Sequence, residues 1–260
     1  MEQHYGICRV AVSPLRADQS DKAEIISQLL FGDHVEIIRK TEKWWQVRNA
    51  YDGYEGWMDY KQLADLSAEQ FAKCNENHFL APAQVVNGIT AADGSKYYLP
   101  AGCNVPLYAN GHCYLGDERF DVSFTPQQPD ALVSMDKVVA TAIFFRNAPY
   151  LWGGRTLFGI DCSGFSQIVF KLNGIKINRD ASQQAEQGTT VDFLPEVKAG
   201  DLAFFDNDAG HITHVGIMLN ANEIIHASGK VRIDPMDNQG IYNAELGRYT
   251  HKLRIIKRFG

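Results

Sequence analysis

The chain has 260 residues, 45% of them hydrophobic and 22% charged, with 22 glycines and 9 prolines. That composition fits an ordinary globular protein of two or three domains and excludes a disordered chain or a small disulfide scaffold. A net charge of −6, a pI near 5.7 and the lack of any Lys/Arg cluster argue against nucleic acid or an anionic membrane as partner.

Five cysteines (Cys8, Cys74, Cys103, Cys113 and Cys162) make an odd set without a CxxC pair. Neither a zinc knuckle nor a disulfide framework is expected, and no metal or cofactor is implied. The start of the chain lacks a basic segment followed by an apolar one, and no stretch approaches 18 apolar residues. A cytoplasmic protein without membrane insertion is expected, the alternative being an exported one whose leader has been removed. A monomer is the expected oligomeric state.

Up to residue 130 the chain consists of short strand-like runs between turn residues. Runs at 8–13, 34–39, 44–48 and 55–59 recur at the spacing of a small antiparallel barrel. Residues 63–74 carry helical spacing. A second set at 84–86, 96–99, 105–109 and 119–124 has Asn87-Gly88, Asp93-Gly94 and Asn110-Gly111 as turns. Two all-β barrels at 1–66 and 67–130 are therefore predicted, closing on the linker Thr125-Pro126-Gln127-Gln128-Pro129-Asp130.

Residues 131–260 read as an α+β domain. A helix is predicted over 134–147, with Ser134 as N-cap and Asn147-Ala148-Pro149 as stop; a second spans 162–172 and ends in Asn173-Gly174. Strands follow at 202–205, 213–219 and 223–227. Helices first and strands after point to an antiparallel sheet.

The chemistry gathers around Cys162. The stripe Phe165, Ile168, Val169, Leu172 places this thiol in a first helical turn, where free N–H groups and the helix dipole favour an anion. Gly164 is expected to let a substrate backbone approach. A thiol nucleophile needs a base, and His211, His214 and His226 lie downstream. With a three-residue loop between 219 and 223, His214 lies level with residue 228 and diagonal to His226, so both share a face; a two-residue loop would separate them. His214 is assigned as base and His226 as its orienter, with His211 in a loop. The N–H of Cys162 and the hydroxyl of Tyr150 are candidates to hold an oxyanion. The alternative for Tyr150 is to wall the cleft with Trp152.

The first barrel resembles the bacterial SH3-like (SH3b) module over residues 7–66, through the run from Glu24 to Asp33, Trp44-Trp45-Gln46-Val47 and Gly53-Tyr54-Glu55-Gly56-Trp57-Met58. Residues 131–260 resemble the NlpC/P60 cell-wall peptidases. The motifs, in order, are Pro149-Tyr150-Leu151-Trp152-Gly153-Gly154, Asp161-Cys162-Ser163-Gly164-Phe165, Gly200-Asp201-Leu202, His214-Val215-Gly216-Ile217 and Ile225-His226-Ala227-Ser228. The resemblance implies a papain-like α+β fold with Cys162, His214 and His226 as a Cys-His-His triad, and peptidoglycan-derived stem peptides as substrate.

Two SH3-like modules ahead of the peptidase resemble the γ-D-glutamyl-L-diamino acid endopeptidases, which require a free L-alanine amine. That resemblance implies ammonium contacts from Glu24 and Tyr60 of the first module and from Asp161 and Ser163 of the peptidase, with Ser182 near Arg179-Asp180 as a further contact. In the family a small polar residue often follows that Arg-Asp pair; here Ala181 intervenes before Ser182. The competing readings are a non-catalytic wall-binding SH3b protein and a metallohydrolase built on His211, His214 and His226, which lacks HExxH and a carboxylate at ligand spacing.

Overall fold

The structure, a computed structural model, describes residues 3–76, 79–129 and 134–259. Two compact units divide the chain, Met1–Pro129 and Asp130–Gly260. The boundary expected at residues 130 and 131 lies outside the described residues.

The first unit opens with β1 (His4–Cys8), β2 (Val12–Arg16), β3 (Ile25–Leu30), β4 (His34–Lys40), β5 (Trp44–Asn49), β6 (Glu55–Asp59) and β7 (Leu63–Leu66). They form one antiparallel sheet in the order β3-β2-β6-β5-β4-β1-β7. Alternate residues such as Val35 and Ile37 turn inward on Leu15, Leu29, Val47 and Met58, which is why a period of two is visible here. Helix α1 (Ala68–Glu76) follows. β8 (Asn87–Ala91), β9 (Lys96–Leu99), β10 (His112–Leu115) and β11 (Glu118–Val122) then make a second sheet, ordered β10-β11-β8-β9. It adheres to the first: the Asn104 amide donates to the Gly32 carbonyl (3.1 Å) and to Asp33 Oδ1 (2.8 Å), and the Phe31 and Phe120 rings meet edge to face at 5.5 Å.

Several expectations change here. The run 8–13 straddles the gap between β1 and β2, and the helical stretch at 63–74 divides into β7, paired with β1, and α1. Residues 84–86 and 105–109 form no strand. Asn87-Gly88 is no turn but the start of β8, because the buried Asn87 amide donates to the carbonyls of Pro82 and Leu99.

The second unit contains α2 (Met135–Phe144), the short pair β12 (Arg155–Thr156) and β13 (Gly159–Ile160), α3 (Cys162–Leu172) and α4 (Ala181–Gln184). Seven strands follow: β14 (Thr189–Val191), β15 (Leu202–Asp206), β16 (Ile212–Asn220), β17 (Glu223–Ser228), β18 (Lys230–Asp237), β19 (Gly240–Asn243) and β20 (Arg248–Arg258). The sheet runs β14-β20-β15-β16-β17-β18-β19, and β19 also pairs with β20, curling the strands into a barrel. α3 is buried along its whole length and packs against β16 and β17.

The hairpin carrying the two histidines differs in detail from expectation. Its loop is a two-residue turn, Ala221-Asn222, not three residues. A β-bulge between Met218 and Asn220 takes up the extra residue, so Gly216 pairs with His226 and the register carries His214 level with Ser228. The shared face survives because the bulge restores the side-chain alternation that this short loop would have inverted.

Candidate active site

Asp161 starts the site. Its backbone is extended, and its side chain caps α3 by accepting from the Gly164 N–H at 2.6 Å. The same carboxylate accepts from the Gly153 N–H (2.8 Å) and from Arg179 at 2.6 and 3.1 Å, in a pair that is almost wholly buried. Arg179 also donates to Ser163 Oγ at 2.8 Å. One acid thus ties the glycine turn, the helix start and the segment before α4 together. Gly164 serves packing rather than substrate access: a Cβ there would sit 2.3 Å from the Gly154 carbonyl oxygen.

Cys162 is the first residue of α3 and is buried, 7% exposed. The N–H groups of Val215 and Ser163 donate toward its sulfur, so the thiol lies against the backbone of the residue next to His214. Burial, then the Asp161 charge, pushes the Cys162 thiol up to about 12, against these bonds and against Arg179. The site thus raises the proton affinity of the resting thiol, burial being the largest cause.

His214 on β16 and His226 on β17 are both buried, and His214 Nε2 lies 2.8 Å from His226 Nδ1. His226 Nε2 lies 2.9 Å from Asp234 Oδ2 on β18, and Arg232 grips that carboxylate through Nε (2.7 Å) and Nη2 (2.8 Å). His251 on β20 stacks on His214. Burial first, then its histidine neighbours, holds His214 well below the ordinary imidazole value, which keeps it neutral and able to accept a proton. An open cavity of about 350 Å³ is lined by Tyr150, His214, Ala227, Ser228 and His251. The half-buried Tyr150 hydroxyl is pushed up to about 12, by burial foremost and then by Cys162, and so stays a hydrogen-bond donor.

The structure thus brings Cys162, His214, His226, Tyr150, Asp161 and Ser163 into one region of the second unit. Ser182 is exposed on α4, and His211 is an exposed residue before β16. Glu24, exposed, and Tyr60, 40% exposed with its ring 5.7 Å from that of Trp45, belong to the first unit. Among the described residues no group of three or more His, Cys, Asp or Glu side chains is arranged to hold a metal. Sequence reasoning missed Asp234, Arg232 and His251. The first two were findable: Ser228-Gly229-Lys230 is a tight turn, and its register sets Arg232 opposite His226 with Asp234 two residues on.

Residues 147–249 match the model of the NlpC/P60 family, and residues 15–63 match that of the bacterial dipeptidyl-peptidase Sh3 domain. A γ-D-glutamyl-L-lysine dipeptidyl-peptidase of Bacillus subtilis is 33% identical over 219 residues, covering 78% of this chain and 72% of its own length. The chain belongs to the NlpC/P60 family. Dipeptidyl-peptidase 6 of Lysinibacillus sphaericus is 29% identical over 264 residues, covering 89% of this chain and 92% of its own. The crystal structure of an NlpC/P60 family protein from Bacillus cereus superposes with a TM-score of 0.80 over 98% of this chain and 99% of that one, at 23% identity, a likeness of fold. The peptidase names of these relatives put this NlpC/P60 member among the peptidases, with an SH3-like N-terminal domain ahead of the peptidase domain.

Proposed function

We propose that the chain is a cysteine peptidase that hydrolyses the bond between γ-D-glutamate and the diamino acid of peptidoglycan-derived stem peptides. The observation that carries this is the hydrogen-bonded His214–His226 pair on adjacent strands, beside a thiol at a helix N-terminus. In this reading Cys162 attacks the γ-carbonyl carbon as its proton passes to His214. The oxyanion is held by the Cys162 N–H and the Tyr150 hydroxyl. His214 then gives the proton to the leaving amine, and water cleaves the thioester with His214 again as base. Because burial disfavours both the thiolate and the imidazolium, proton transfer accompanies the attack. The substrate names of the relatives support the choice of bond.

A free L-alanine amine is part of the proposal. The Asp161 carboxylate already accepts from Gly153, Ser163, Gly164 and Arg179, so an incoming ammonium competes with those bonds. Ser163 Oγ, by contrast, accepts one bond, from Arg179, and has a second acceptor lone pair. Glu24 and Tyr60 remain the proposed ammonium contacts, with Ser182 secondary. We also take 1–66 and 67–130 as two SH3-like modules ahead of a peptidase at 131–260.

Mass spectrometry of products from tri- and tetrapeptide stems, with and without N-acetylated L-alanine, tests both parts. Release of L-Ala-γ-D-Glu from the free-amine peptides alone is the expected result. Equal cutting of acetylated peptides would refute the amine requirement, and full cleavage by Cys162→Ala would refute the thiol mechanism.

A further inference from the structure

We propose that Asp234, gripped by Arg232, is a positioning residue of the reaction: its carboxylate sets the tautomers of His226 and His214 in series and leaves Nδ1 of His214 as the basic atom. The inference rests on the reading of His214 as base.

A carboxylate only accepts hydrogen bonds. Asp234 accepts from Arg232 on both oxygens, at 2.7 and 2.8 Å, so its ionised form is the one the site holds. The contact of 2.9 Å to His226 Nε2 therefore requires the proton on that nitrogen. His226 is kept neutral by burial, against the pull of Asp234, so its Nδ1 is unprotonated and must accept. The 2.8 Å contact to His214 Nε2 then requires a proton there. Nδ1 is the nitrogen of a neutral His214 that remains free to take a proton. A carboxylate on β18 in this way fixes the chemistry of a ring two strands away.

When His214 becomes a cation, the added charge meets a line ending in an anion. The charged and titratable groups facing His226 are His214 from β16, His251 from β20, and Asp234 and Arg232 from β18. Without Asp234 the nearest fixed charge is the Arg232 guanidinium, which disfavours an imidazolium.

The test uses the full chain and the tripeptide L-Ala-γ-D-Glu-diaminopimelate. Asp234→Ala should lower kcat about 10- to 100-fold with KM within about twofold, and should move the acid limb of the rate profile to lower pH. Asp234→Asn keeps an acceptor oxygen without the charge and should fall between wild type and Asp234→Ala. Ring-nitrogen NMR of the wild type should show both His214 and His226 protonated at Nε2. A His226 proton found on Nδ1 overturns the proposal even if Asp234→Ala fails to fold. So does wild-type kcat and acid limb in both variants while Cys162→Ala is inactive. An active Cys162→Ala instead overturns the parent reading, and this inference with it.

Discussion

The ring of His251 lies face on to that of His214, with centroids 4.1 Å apart and planes 28° from parallel. This stack shields one side of the proposed base from water. Burial, foremost, then His226 and His251 as potential like charges, depress the proton affinity of His214. Burial likewise brings His251 down to about 4. The acid limb of kcat/KM should accordingly fall below pH 6.5, the value of a free imidazole. His251→Ala, by admitting water and removing a neighbour, should shift that limb upward. A limb at or above 6.5 in the wild type would contradict the neutral resting state.

The same histidines link stability to acidity. Their folded-state proton affinities are depressed, so below about pH 6.5 the unfolded chain binds protons that the native chain refuses. Stability should therefore decline as pH falls from 6.5 and level off for His251 near 4. Each such histidine contributes at most about 1.4 kcal/mol per pH unit in that window. Urea unfolding of Cys162→Ala at pH 7, 5.5 and 4.5 measures the slope; an unchanged midpoint would mean that the buried rings do not dominate it.

Gly164→Ala should harm folding rather than substrate binding. The new Cβ would fall 2.3 Å from the Gly154 carbonyl oxygen and 3.0 Å from Asp161 Oδ1, both on backbone or side chain held in place. A loss of about 1–3 kcal/mol is expected from the forced separation. Thermal unfolding should register it as several degrees, while KM for the surviving fraction stays unchanged.

Removing Arg179 should be more damaging. It would leave the Asp161 carboxylate buried without its cation, a situation that typically costs about 3–5 kcal/mol. It would also remove a positive charge that favours the Cys162 thiolate. Arg179→Ala should unfold at lower denaturant and react more slowly with iodoacetamide at Cys162. Faster alkylation would show that Arg179 shields the thiol instead of activating it.

Legibility of the fold tracked how local its causes are. α3 falls on the residues predicted because its start, stripe and stop lie within its own run: the Asp161 cap, the buried Phe165, Ile168, Val169 and Leu172, and Gly174 at φ +80°. The stretch 63–74 misled because Leu63 and Leu66, three apart, fit a helix, yet both are buried by pairing with β1. Val85 and Val86 looked like strand residues on β-branching alone, and both are 58% exposed. In the site, the two motif histidines were readable from their hairpin. Asp234 follows from the next local hairpin, β17 to β18, whereas His251 arrives on β20, whose placement depends on barrel closure, a non-local event that no short window reports.

The pairing of β19 with β20 has one more effect. An extended peptide is itself a strand in waiting, and an open sheet edge would capture it by backbone hydrogen bonds. In the second unit β19 turns back onto β20, and the three-residue β14 ends the other side of the sheet. The outer edge of β19 is thereby closed to an extended chain, and β14 offers one only three residues.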